Sequence, residues 1–135
     1  MIKYFVAYAA AAIVMIAIDL LWLGVIAKPL YQQGIGHLMA ERPNIPIAVL
    51  FYVIFPIGLM IFAVLPHAAA AGWGKTLIAG ALFGFFAYAT YDLTNLATLK
   101  GWPIGLSVID VIWGTFVSSL AAAAGKAALD RFATG

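Results

Sequence analysis

Three aspartates, Asp19, Asp92 and Asp110, stand inside stretches of sequence that are otherwise apolar. A carboxylate within a membrane helix costs about 3 kcal/mol on insertion scales, so one that is kept there marks binding, proton transfer or interhelical pairing. Asp19 lies nine residues before Lys28, Asp92 eight before Lys100, and Asp110 seven after Pro103. At about 1.5 Å of rise per helical residue, all three sit roughly 10 to 14 Å beneath the same surface. They meet only by facing inward. Carboxylates so close together in a low dielectric do not all ionise, which makes a shared-proton site. That chemistry suits general acid/base catalysis, proton-coupled transport, or binding of a cation through oxygen ligands, and the residue types leave all three open.

The surroundings of the aspartates repeat. Asp19 is followed three residues later by Trp22, Asp110 by Trp113, and Asp92 by Asn95. Spacing of i,i+3 puts both members on one helix face. If the first and last helices run antiparallel, Trp113 lies at the depth of Asp19 and Trp22 at that of Asp110, so a reciprocal cross-pairing is expected. Such pairs would also serve as interhelical glue worth about 1 kcal/mol each, a purely structural role. Asp92 has no tryptophan in its motif; Tyr88 and Asn95 share its face, with Tyr91 close by. It is therefore the expected functional carboxylate, with Asp19 and Asp110 as its partners. Tyr88, Tyr91, Asn95, Trp22 and Trp113 are the expected ligand-binding residues. His37, which shares a polar segment with Tyr31, Glu41 and Arg42, joins them as a residue able to close over the site.

These positions require elements that cross a membrane. Seven basic and five acidic residues among 135 is far below the quarter charged that a soluble domain carries. Hydrophobic residues make up 66% of the chain and the mean hydropathy is +1.09, leaving too little polar surface for a soluble fold. Cysteine is absent, which excludes disulfide scaffolds, thiol redox chemistry and Cys-ligated metals. The net charge of +2 comes from dispersed bases, so nucleic acid is not a partner. No cofactor and no dedicated metal site are expected.

Four apolar runs, at about 4–27, 47–65, 75–99 and 104–129, predict an all-α, integral membrane antiparallel four-helix bundle forming a single domain over 1–135. The first run is too long for a signal peptide. The Gly- and Pro-rich segment 28–46 would fold as a cap over the end that holds the aspartates. Pro56 should kink the second helix. Small residues, Gly80 and Gly84 in the third helix and Gly114, Ser118, Ala121 and Gly125 in the fourth, predict close packing and offer faces for a homo-oligomer. Lys3, Lys75, Lys126 and Arg131 on the side of the termini outnumber Lys28, Arg42 and Lys100 on the other, which favours cytoplasmic termini in a multi-pass protein of the bacterial inner membrane.

Several strings match a known pattern. Asp19-Leu-Leu-Trp-Leu-Gly24, Lys28-Pro-Leu-Tyr31, Gly36-His-Leu38, Phe51-Tyr52, the run Ala89-Thr-Tyr-Asp-Leu-Thr-Asn-Leu-Ala-Thr-Leu-Lys100 with Trp102-Pro103, and Asp110 with Trp113-Gly114 cover nearly the whole chain in order. Together they resemble a small bacterial family of four-helix membrane proteins of unknown function. The resemblance implies an inner-membrane protein with no assigned activity, and the look of its members as companions of lipid-modifying genes tilts the expectation toward lipid. The leading reading is a polar pocket, open toward the cap, that binds or modifies a membrane lipid or small amphiphile. A proton-coupled small transporter and a structural or accessory subunit are the alternatives.

Overall fold

A computed structural model describes residues 1–133. Helix α1 spans Ile2–Leu21 and is prolonged by a π-helical turn, Trp22–Ile26. The cap segment holds a short helix α2, Lys28–Ile35, and a 3-10 turn, Gly36–Leu38. Helix α3, Ile45–Leu59, runs on through a second π-helical turn, Met60–Val64, and a 3-10 turn, Leu65–His67. Helices α4, Gly74–Thr98, and α5, Ile104–Ala133, complete the chain. Among the described residues, four continuous helical stretches are long and apolar enough to cross a membrane: Ile2–Ile26, Ile45–His67, Gly74–Thr98 and Ile104–Phe132. The protein is an all-α membrane protein, and these spans lie within a few residues of the expected ones.

Local chemistry sets the helix ends. Pro29 opens α2, and at the start of α3 the Asn44 side chain accepts a hydrogen bond from the Ile47 amide at 3.3 Å, with Pro46 in the first turn. Between α4 and α5 the chain reverses at Gly101, whose φ of 71° lies in the left-handed region that glycine occupies without strain. Within α3, Pro56 cannot donate to the Tyr52 carbonyl, and four residues later the winding changes from α to π. The helix continues nonetheless, as membrane helices carrying proline do.

Packing is organised around α5, against which both α1 and α4 lie. Each of the three turns inward a row of residues at every fourth position. In α1 the row is Ala7, Ala11, Met15 and Asp19; in α4 it is Thr76, Gly80, Gly84, the half-buried Tyr88 and Asp92; in α5, which is buried more broadly, it includes Leu106, Asp110, Gly114, Ser118, Ala122 and Lys126. Small side chains bring the backbones together. A Cβ on Gly84 would collide with the Gly114 carbonyl and with Ser118, so the α4–α5 crossing tolerates nothing larger there. The apolar core, with Met15, Leu59, Val64, Val117, Ala121 and Leu129, occupies the half nearer the termini. At that end Lys126, counted from sequence among the bases on the side of the termini, is only 2% exposed; it donates to the carbonyls of Ala68 and Ala70 and pairs with Asp130 at 2.9 Å. The half nearer the cap is polar and aromatic.

Candidate functional site

Asp19 and Asp92 are the last buried members of their rows on the cap side, and Asp110 lies in the row of α5 that continues toward the cap through Leu106, so the packing that joins α1, α4 and α5 also carries the carboxylates together. All three are buried, at 3% exposure for Asp19, 1% for Asp92 and 8% for Asp110. Asp19 is held by two donors from different helices. The Trp113 indole of α5 donates to Oδ1 at 2.8 Å, and the Tyr52 hydroxyl of α3 donates to Oδ2 at 2.7 Å. Both of its oxygens are occupied, and three helices meet at one carboxyl group.

Asp110 is tied to the cap. Tyr31 of α2 donates its hydroxyl to Asp110 Oδ1 at 2.6 Å, and the same phenol oxygen accepts from the Trp22 indole at 3.4 Å. Trp22 and Trp113 stack face to face, with ring centroids 4.3 Å apart and planes 6° from parallel. The π-helical turn that begins at Trp22 is the local device that presents this indole, since Ala27 N–H reaches back five residues to the Trp22 carbonyl. Burial first, and then the hydrogen bond to Asp110, push the Tyr31 phenol above its ordinary range, so it stays a proton donor at neutral pH.

Asp92 lies behind Asp110, close enough for the two carboxyl groups to interact directly. A carboxyl–carboxyl contact needs a proton between the oxygens, because two bare carboxylates repel. Asp92 Oδ2 is buried without a hydrogen-bond partner, and so is the indole nitrogen of Trp102 beside it. The carboxylates thus form a line, Asp19, Asp110, Asp92, rather than a cage. Among the described residues no group of three or more His, Asp and Glu is arranged to hold a metal ion.

In front of the line lies a cavity of about 550 Å³ between α1, α3, α4 and α5. Asp19, Asp110, Tyr52 and Tyr88 form its polar floor, while Leu23, Ile47, Phe51 and Phe55 form an apolar wall. Helix α4 packs on α3 chiefly through the Met60–Val64 turn, with Phe55 and Phe83 in contact just above it. Nearer the cap the two helices make few backbone contacts, so the cavity opens sideways between them, past the exposed Ile47 and Phe51.

A membrane bundle with this arrangement can be compared with known proteins. The family model described as "Predicted membrane protein (DUF2177)" matches residues 4–127, nearly the whole chain. The chain belongs to this family. No curated protein and no solved structure matches it significantly.

Membership of a DUF2177-type membrane family leaves the site to be described from geometry alone. Of the residues singled out from sequence, Asp19, Asp110, Tyr88 and Tyr91 line the cavity. Trp22 and Trp113 stack beneath the floor, and Asp92 stands behind it with Asn95 near Tyr91. His37 is exposed on the cap and lines no part of the cavity. The expected pairing of Trp113 with Asp19 is direct, but that of Trp22 with Asp110 runs through Tyr31, because α2 lowers its phenol into the gap between them. Nor is Asp92 without an indole neighbour: Trp102, from the turn between α4 and α5, lies beside it and meets Tyr91 edge to face. Tyr52 was not anticipated as a site residue. It lies eight residues past Asn44, at the depth of Asp19, and that count from the helix start would have found it.

Proposed function

We propose that this protein binds an amphiphile, a lipid or lipid-like molecule, whose apolar part lies in the opening between α3 and α4 and whose polar group meets Asp110 and Tyr88. The observation that carries this reading is the cavity itself: a space of about 550 Å³ with an aromatic and aliphatic wall on the membrane side and two carboxyl groups in its floor. Pockets of this size, mainly apolar with a few convergent polar groups, are the usual form of a small-molecule site. Asp110 is the carboxyl group that faces both the ligand space and the proton-sharing contact with Asp92. It would accept a hydrogen bond from a hydroxyl or amine of the ligand, and the Asp92–Asp110 proton would serve as the acid if the ligand is modified.

A second reading has its own support. Tyr31, Asp110 and Asp92 make a continuous line of exchangeable protons from the cap to the buried carboxyl, as a proton-coupled transporter would need. We also place the protein in the bacterial inner membrane with both termini cytoplasmic, on the excess of bases at that end. Any association of copies would use a lipid-facing surface such as the groove around Phe85, Ile112 and Phe116, since Gly80, Gly84, Gly114 and Ser118 are buried between α4 and α5.

Native mass spectrometry of the protein extracted in mild detergent tests the leading reading. Wild type should carry a co-purified amphiphile. Ala48→Trp, which fills the cavity from α3, and Asp110→Asn, which removes the acid, should each lose it while melting near the wild-type temperature. Both variants carrying as many amphiphile molecules as wild type would overturn binding at this site. Acidification of proteoliposomes by wild type but not by Asp110→Asn would move the assignment to transport.

A further inference from the structure

At the opposite end of the bundle, Lys3 is a cation without a carboxylate partner among the described residues. Its ammonium lies 5.2 Å from the centre of the Tyr4 ring, at a cavity of about 440 Å³ that is also lined by Leu65 and Leu129. Lys126, at the same end, is consumed by two carbonyls and Asp130. A second space of about 460 Å³ adjoins the first, since Tyr4 and Leu65 belong to both. It is walled by Phe5, Tyr8, Ile57 and Ile61 from α1 and α3. The Tyr8 hydroxyl reaches across to α3 and donates to the Val53 carbonyl at 2.9 Å, so its hydrogen-bonding proton is already used.

We propose that these two spaces are one binding site for an anionic phospholipid, with the phosphate at Lys3 and an acyl chain along the α1–α3 groove. An acyl chain is what any apolar groove on the membrane face of a spanning helix pair will meet. The choice of headgroup comes from charge: the unpaired Lys3 ammonium stands at the mouth of a groove that Met1 also lines, at the depth where a helix leaves the hydrocarbon, and it complements a net negative lipid better than a zwitterion, whose own cation offsets its phosphate. Proximity to the Tyr4 ring and the buried Leu129 keeps the ammonium partly shielded from water, which strengthens its attraction for phosphate. This site is separate from the aspartate cavity and does not depend on the reading given to it.

The test is a lipid titration by native mass spectrometry of the full chain without an amino-terminal tag, comparing phosphatidylglycerol with phosphatidylcholine of the same acyl chains. Wild type should prefer phosphatidylglycerol about fivefold, the effect of one lysine near a membrane surface. Lys3→Gln should abolish the preference and Lys3→Arg should keep it, both melting like wild type, while Asp110→Asn should leave it unchanged. Ile61→Trp should weaken both lipids by blocking the groove. Equal binding of the two lipids by wild type, or a preference that survives Lys3→Gln, would overturn the proposal. So would displacement of the lipid by glycerol phosphate at equal concentration, because the groove would then contribute nothing.

Discussion

Asp19 accepts two hydrogen bonds from neighbouring side chains and Asp110 accepts one from Tyr31, and under the proposed function this difference separates an anchor from a working group. With Trp113 and Tyr52 on its two oxygens, Asp19 has little left to offer a ligand. Trp113→Phe and Asp19→Asn should each lower the melting temperature in detergent, and the double variant should be less destabilised than their sum by about 1 kcal/mol, the usual size of an interhelical hydrogen bond. Strict additivity would show that the pair contributes nothing. Tyr31 makes a pH-dependent contribution whose sign follows from its raised pKa. The unfolded chain loses the phenol proton near pH 10, while the folded chain holds it to higher pH, so the stabilisation is intact below about pH 10 and is lost as pH rises beyond it. Alkaline melting curves of wild type and Tyr31→Phe should therefore converge as pH rises above 10; parallel curves would mean that the phenol is not held by Asp110.

Helices α1, α4 and α5 bring the carboxylates together through rows of small residues, and those rows explain both what could be read in advance and what could not. Counting from the nearest loop placed Asp19, Asp92 and Asp110 at one depth, and apolar run length placed the four spans, because both depend only on helical rise and bilayer thickness. The four-residue spacing of Ala7, Ala11, Met15 and Asp19 is likewise written in the chain, and it would have shown that Asp19 ends a packing row. What lies off the regular helices could not be counted. Tyr31 descends from the cap and Trp102 turns inward from a reversal, and neither position follows from a period. The two π-helical turns, at Trp22–Ile26 and Met60–Val64, also leave no simple signature. Close packing makes its own prediction at Gly114, where a Cβ would run into the Tyr88 ring. Gly114→Ala should lower stability by roughly 1 to 3 kcal/mol, as overpacking does, and should push Tyr88 toward the cavity. A melting temperature equal to wild type would mean that α4 and α5 are farther apart than this structure has them.

The bundle as a whole is polarised, with a tight apolar core and the buried Lys126 toward the termini and the aspartates, the cavity and the cap at the other end. Whatever ligand the cavity takes must therefore come from one leaflet, and the orientation of the chain decides which. Four spans put both termini on one side of the membrane, and if that side is the cytoplasm, as proposed above, the cap and the cavity should face the periplasmic leaflet. The chain has no cysteine, so a single introduced thiol reports its side without background. Lys75→Cys and Arg131→Cys lie at the terminal end, Glu41→Cys and Lys100→Cys at the cap end, all at exposed positions. In intact cells a membrane-impermeant maleimide should label the second pair and spare the first, and lysis should make all four reactive. The reverse pattern would place the cavity in the cytoplasmic leaflet and make a cytoplasmic source of the amphiphile the one to pursue. Labelling of one member of each pair would contradict the four-span bundle itself.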